Sequence, residues 1–212
     1  MLTKVIKINP KNPEKEKIKN IVKILKKGKL VAFPTETVYG LGADALNIDA
    51  VKKIYSVKKR PFSKPLIIHI ANKKDVYKFA KNISSETKIL INKFWPGPLT
   101  IIFEKKEIIP DIITTKKIAV RMPNNKIALA IIKKFGHPIT APSANISKKA
   151  SLIDAKKVIE NLSGKIEAII DGGKSKIGVE STIIDLTEHQ LILLRQGAIP
   201  FEKIKKVLKK FY

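Results

Sequence analysis

Apolar positions recur along the chain with two periods, and together they predict strands alternating with helices. Leu2 to Ile8 alternates as a strand does. Asn12 and Pro13 then open a helix whose apolar face is Ile18, Ile21, Val22 and Leu25, and Gly28 stops it. Leu30 to Phe33 reads as a short buried strand. Thr35 to Ala45 has small or glycine positions and no clear period, so it is expected to be a loop leading to a helix near Asp49 to Val57. Leu66 to Ile70 is the next buried strand. Helices are predicted over Lys73 to Ala80 and Ser84 to Phe94, the second ended by the Pro96-Gly97-Pro98 turn before a strand at Leu99 to Phe103. Strands continue at Ile118 to Arg121, Ile139 to Ala141, Ile166 to Ile170, Thr182 to Leu186 and Leu191 to Leu194. Helices at Lys126 to Phe135, Ala155 to Leu162 and Phe201 to Phe211 lie between or after them. The last two strands, joined through Glu188 to Gln190, read as an antiparallel hairpin. The expected fold is therefore α+β of the α/β type: a twisted mixed sheet flanked by helices. No internal repeat or low-complexity linker interrupts the pattern, so residues 1–212 are expected to form a single domain.

Composition narrows the function classes. An apolar fraction of 44% is ordinary for a globular protein, and no apolar run approaches the ~20 residues needed to span a bilayer. Met1 to Asn9 has neither an apolar signal core nor a small-residue cleavage site, so a soluble, cytoplasmic protein away from membranes is expected. The absence of cysteine removes disulfides, thiolate metal sites and a cysteine nucleophile together. The net charge of +25 fits two readings. One is a nucleic-acid surface that releases counterions from a phosphate backbone; the other is solvated lysine spread evenly over the chain. No arginine-rich tail or aromatic-interleaved basic stretch favours the first.

One asymmetry is more informative. Of 43 cationic residues only Arg60, Arg121 and Arg195 are arginine, so wherever any positive charge would serve the chain uses lysine. A guanidinium offers a planar bidentate fork for carboxylate or phosphate that an ammonium lacks.

Two glycine patterns are set aside. Gly40, Gly42 and Ala45 resemble a dinucleotide fingerprint, but they follow the preceding strand too late and no acid stands about 20 residues on. Gly173-Lys174-Ser175 resembles the end of a phosphate loop, yet Ala168 stands where its first glycine belongs and no helix is predicted to follow; a turn is expected. His69, His137 and His189 lack metal-ligand spacing, no protein-held metal is expected, and no Gly-x-Ser-x-Gly elbow is present.

The remaining polar segments follow strand or helix ends, each with a structural and a functional reading. Pro34-Thr35-Glu36-Thr37-Val38-Tyr39-Gly40 could cap a helix or present hydroxyls and amides to a ligand. Lys58-Lys59-Arg60-Pro61 could complement a helix dipole or clamp a triphosphate. Ala141-Pro142-Ser143-Ala144-Asn145 offers a hydroxyl and an amide suited to phosphate oxygens, and Glu180-Ser181-Thr182 and Leu194-Arg195-Gln196-Gly197 repeat the arrangement at other strand ends. His69 reads as a satisfied core histidine or a site residue.

Taken together, these segments resemble the YrdC-like family of threonylcarbamoyl-adenylate synthases. The resemblance runs in order through Val31 to Gly42, Lys58-x-Arg60-Pro61, Phe94 to Thr100, Val120 to Pro123, Ala141 to Asn145, Gly178 to Thr182 and Leu194-Arg195-x-Gly197, and it contains all three arginines. It implies that L-threonine, bicarbonate or carbon dioxide, and ATP as substrate with Mg2+ give threonylcarbamoyl-AMP and pyrophosphate. A partner transferase would then move the threonylcarbamoyl group to tRNA. It further implies that Lys58, Arg60, Ser143 and Asn145 form a catalytic tetrad on ATP, helped by Lys64, Lys117, Ser151 and Arg195. Thr37, His69, Arg121, the Ala141 backbone and Ser181 would hold threonine. Lys64 stands where many members carry Asn, and Lys148 replaces a glycine common after Asn-x-Ser. Some members carry a further C-terminal domain, which the chain is expected to lack. The alternatives are a basic double-stranded RNA or tRNA-binding protein and a carbamoyl-carrying domain of a hydrogenase-maturation protein. The lack of zinc-type cysteines speaks against the latter.

Overall fold

In the computed structural model the chain runs β1 (Lys4–Lys7), α1 (Lys15–Lys26), β2 (Val31–Pro34), β3 (Tyr39–Asp44), α2 (Ile48–Lys58) and β4 (Ile67–His69). After a 3-10 turn at Lys73–Asp75 come α3 (Val76–Phe79), β5 (Ala80–Lys81), α4 (Ser85–Phe94), β6 (Leu99–Lys105), β7 (Lys117–Arg121), α5 (Lys126–Phe135) and β8 (Ile139–Thr140). The chain closes with α6 (Ala155–Leu162), β9 (Ala168–Asp171), β10 (Thr182–Asp185), β11 (Ile192–Arg195) and α7 (Phe201–Leu208). The structure describes residues 1–147, 149–188 and 190–209. Capping chemistry fixes several helix starts. Asn47, Ser84, Asn125 and Asp154 each accept a backbone N–H from the first turn of the helix that follows.

All strands join one mixed sheet in the order β1-β9-β2-β3-β8-β4-β7-β6-β10-β11, with β5 alongside β6. The pairs β4 to β7 and β6 to β10 are parallel, whereas β2 to β3, β8 to β4, β6 to β7 and β10 to β11 are antiparallel. The expected mixed sheet and terminal hairpin are both present.

The sheet's two faces are covered unequally, and this positions the site. Ile68, Ile101, Val120 and Ile184 point to one face, where they pack with apolar residues of α2, α3, α4, α6 and α7. On the other face α1 and α5 lie against each other and cover Val31, Phe33, Ile139 and Ile170. Beyond β8 no helix among the described residues packs a cluster on that second face. The alternate side chains there, Ile67, Ile102 and Ile183, are only partly buried. Strand periodicity thus turns one set of positions into core and the other into the floor of a cavity.

Three expectations are corrected. Thr35 to Ala45 is not a loop throughout, because Tyr39–Asp44 is strand β3, paired with β2 and β8. Tyr39, Leu41 and Ala43 alternate into the core, but the intervening positions are glycines pressed against Ala141 and Phe33, so the apolar alternation has no side chain to show it. The helix expected over Lys73 to Ala80 breaks into a 3-10 turn and the short α3, because Ala80 is extended and pairs with Lys105 of β6. The helix from Phe201 ends at Leu208; its expected continuation to Phe211 lies partly outside the described residues.

Gly42 illustrates the close approach that β3 requires. A methyl group there would lie 2.5 Å from Cε1 of Phe33 and 3.1 Å from Cγ2 of Ile139, both fully buried. Gly42→Ala should therefore destabilise the protein by about 1–3 kcal/mol through overpacking, seen as a lower Tm. An unchanged Tm would contradict this packing.

Candidate active site

The uncovered face of β4, β7, β6 and β10 forms the floor of a cavity of about 350 Å3. Ile67, Ala119, Ile102 and Ile183 make the floor apolar, and polar groups converge on it from strand ends and connections.

At one end stands Arg121, the last residue of β7 and 4% exposed. The parallel register of β4 with β7 sets His69 beside it. Its Nε donates to the Gly97 carbonyl at 3.2 Å and Nη2 donates to Thr37 Oγ1 at 3.0 Å. Nη2 also lies 2.8 Å from Oε1 of the buried Glu36, a charge contact only, since neither Glu36 oxygen accepts an aligned hydrogen bond. The Thr35 and Thr37 hydroxyls are 2.8 Å apart, and Ser181 Oγ is 2.7 Å from Thr100 Oγ1. The Ala141 N–H donates to the Ile67 carbonyl, which leaves its carbonyl as the backbone group able to face a ligand. His69 is 2% exposed, and its Nδ1 has no hydrogen-bond partner among the described residues. Burial first, and then the Arg121 charge, push its pKa down to about 3, against a hydrogen bond at the Ile139 backbone. It is a neutral imidazole at physiological pH.

At the other end are Arg60, Ser143, Glu180 and Arg195. Arg60 follows α2, whose C-cap Lys59 is left-handed at φ 49°, and its guanidinium donates to the carbonyls of Lys64 at 3.2 Å and Pro65 at 2.8 Å. Lys58, 1% exposed, turns inward beneath the segment from Ser143 to Asn145. Its Nζ donates to the Ser143 carbonyl, to the Asn145 carbonyl at 2.5 Å and to Asn145 Oδ1 at 3.3 Å, so all three N–H groups are used. Burial and then Arg60 lower its pKa to about 8, with Glu180 opposing them. Ser143 Oγ donates to Asn145 Oδ1 at 2.5 Å.

Arg195, closing β11, donates from Nε to the Ser181 carbonyl at 3.0 Å, from Nη2 to Ser181 Oγ at 3.0 Å and from Nη1 to Glu180 Oε2. The other Glu180 oxygen accepts from Ser151 Oγ at 2.7 Å. Burial works to raise the Glu180 pKa, but Ser151, Arg195, Ser143 and Lys58 together outweigh it and hold the carboxyl below its usual range. Gly197 makes this corner possible. A methyl group there would lie within 2.5 Å of backbone atoms of Glu180, Ser181 and Thr182.

Of the residues singled out from the sequence, Thr37, His69, Arg121, Ala141, Ser181, Arg60, Ser143 and Arg195 line this one cavity. Lys58 and Asn145 stand behind Ser143, and Ser151 reaches the cavity through Glu180. Two expected ATP contacts lie elsewhere. Lys117 begins β7, the end opposite Arg121, and its ammonium is held by Asp185 at 3.0 Å and Glu188 at 2.6 Å along a separate groove. Lys64 is exposed, and it is its carbonyl that meets Arg60. Lys148 and His189 lie outside the described residues. Glu36 and Glu180 join the site as partners of Arg121 and Arg195 without any mark in the sequence. Both sat inside recognised segments, but nothing in the sequence marks a carboxylate as the internal partner of an arginine far along the chain.

The neutral imidazole has a measurable consequence. With a folded pKa of about 3, below the ~6.5 of an unfolded histidine, the stability linked to His69 is fully present above ~6.5 and is lost as pH falls towards 3. In proton NMR its ring resonances, assigned by loss in His69→Gln, should stay fixed between pH 8 and 5. A titration near pH 6.5 would contradict the burial described.

Comparison with known proteins places this arrangement. Residues 23–197 match the family model Sua5/YciO/YrdC, described as "Telomere recombination". A threonylcarbamoyl-AMP synthase of Pyrococcus abyssi is 53% identical over 197 residues, covering 92% of this chain and 58% of the relative. A putative threonylcarbamoyl-AMP synthase of Methanocaldococcus jannaschii is 40% identical over 209 residues, covering 96% of this chain and 97% of the relative. The crystal structure of P. abyssi Sua5 complexed with L-threonine superposes with a TM-score of 0.94 at 51% identity, covering 97% of this chain and 61% of that one. The chain thus spans little more than half the length of the Pyrococcus relative. The fold, the ordered motifs and these likenesses together establish that the chain belongs to the Sua5/YciO/YrdC family.

Proposed function

We propose that the cavity converts L-threonine, bicarbonate or carbon dioxide, and ATP into threonylcarbamoyl-AMP and pyrophosphate. The observation that carries this reading is the division of one cavity into two polar ends over an apolar floor. One end holds Arg121, Thr37 and His69, the other holds Arg60, Ser143 and Arg195, and Ser181, which accepts from Arg195, completes the lining. The first end suits a small hydroxylated amino acid: a guanidinium and hydroxyls for its carboxylate, the Ala141 carbonyl for its ammonium, and the His69 imidazole in the same lining. That the Pyrococcus relative is crystallised as a complex with L-threonine supports threonine as a ligand. The second end, two guanidiniums with a serine hydroxyl, suits phosphate oxygens.

The chemistry needs no enzyme nucleophile. Threonine's amine adds to carbon dioxide, a carbamate oxygen attacks the α-phosphorus, and pyrophosphate leaves. The protein's part is to hold the reactants adjacent and to balance charge on the phosphates with Arg60 and Arg195. Lys58 acts from below by fixing the segment that carries Ser143. The side chains do not fit a magnesium ion held by the protein. Among the described residues no group of three or more His, Asp or Glu converges, and the cavity's Glu180 is engaged by Arg195. Magnesium would arrive with ATP. The product would pass to a transferase acting on tRNA. No helix among the described residues is long and apolar enough to cross a membrane.

Pyrophosphate release should require threonine and bicarbonate together. Arg60→Lys and Arg121→Lys keep the charge but lose the fork, so each should lower kcat/KM at least about tenfold, or ~1.4 kcal/mol, with circular dichroism unchanged. The threonine KM should rise in Arg121→Lys. Pyrophosphate release independent of threonine, or near-normal turnover in both variants, would contradict the reading.

A further inference from the structure

The cavity already contains an anion of its own. Glu180 Oε2 accepts from Arg195 Nη1 and Oε1 accepts from Ser151 Oγ, with Ser143 and Lys58 close enough to favour its charge. Arg195 and Ser143 are donors that the proposed reading gives to ATP, and a carboxylate satisfies a guanidinium and a hydroxyl much as a phosphate does. We propose that Glu180 is a placeholder anion that sets the nucleotide affinity of the site: its carboxylate fills a phosphate position in the free protein and leaves when ATP binds. The inference rests on the assignment of this end of the cavity to the nucleotide.

The geometry allows that exchange. The Glu180 main chain is pinned, because the Ala198 N–H donates to its carbonyl at 2.9 Å and Gly197 packs against it without a side chain. The carboxylate-bearing side chain is 32% exposed and has solvent to enter. Arg195 does not depend on it for position. Two of its donors remain on Ser181, one on the carbonyl and one on Oγ, so loss of Glu180 frees Nη1 without releasing the guanidinium. Ser151 is freed in the same movement. Occupation by Glu180 also spares the free protein a cluster of uncompensated cations from Lys58, Arg60 and Arg195. Every ATP that binds must displace it, and the affinity is lowered accordingly.

Isothermal titration of ATP into wild type and Glu180→Gln, which keeps the shape and removes the charge, tests this. L-threonine titrated into the same samples reports that the other end is intact. The variant should bind ATP at least tenfold more tightly. Glu180→Ala, which removes the whole group, should shift affinity in the same direction and stands in if the glutamine variant misfolds. Equal or weaker ATP binding in the variants, with wild type binding ATP, would overturn the placeholder role and leave the nucleotide assignment standing. Failure of wild type and variants alike to bind ATP would overturn both.

Discussion

A guanidinium buried in a protein needs partners to offset the loss of water, and the way Arg121 is held organises this molecule. Its partners come from two parts of the chain: the Gly97 carbonyl before β6, and the Thr37 hydroxyl and adjacent Glu36 carboxylate between β2 and β3. The β4 to β7 register adds His69, whose neutrality is partly a response to that same charge. Removing one member of such a set leaves a buried charge or dipole uncompensated, which costs more than the intact contact contributes. The arrangement lies on the part of the sheet's second face which, among the described residues, α1 and α5 leave uncovered, since their cluster gathers residues of β1, β9, β2 and β8. The same alternation that builds the core on one face builds an apolar floor with charged walls on the other.

The second end of the cavity obeys a different logic. Its cations are grouped without a buried acid to match each one, and the structure handles the repulsion by several means. Lys58 spends its donors on backbone carbonyls, Arg60 caps the carbonyls of Lys64 and Pro65, and Arg195 takes Glu180. An end built this way is ready for anionic ligands, whereas the Arg121 end is ready for a small zwitterion. A reaction that joins an amino-acid carbamate to a nucleotide phosphate needs both within one enclosed space, held close enough to react.

Most of the fold was legible in the sequence because its apolar positions are regular. α5 and α6 fall where the pattern of apolar positions predicts. Apart from the two-residue β5, the strands are legible where both neighbours of an apolar position carry side chains. β3 was hidden because Gly40 and Gly42 leave one of its faces blank, and their reason is long-range: Ala141 and Phe33 occupy the space. The site was legible through the scarcity of arginine, since all three guanidiniums reach one cavity. Lys117 starts the same strand that Arg121 ends, and the sequence does not reveal that Asp185 and Glu188 hold its ammonium outside this cavity. Glu180 and Glu36 were overlooked for a related reason. Their meaning lies in partners 15 and 85 positions away along the chain, Arg195 and Arg121, which only folding brings within reach.

Formation of the mixed anhydride itself is the most direct measure of whether the two ends work on one reaction. Incubation of the protein with ATP, magnesium, L-threonine and 13C-bicarbonate, followed by mass spectrometry, should reveal threonylcarbamoyl-AMP one mass unit heavier than with unlabelled bicarbonate. Detection of ATP breakdown products alone, or of an adduct that carries no label, would contradict the account.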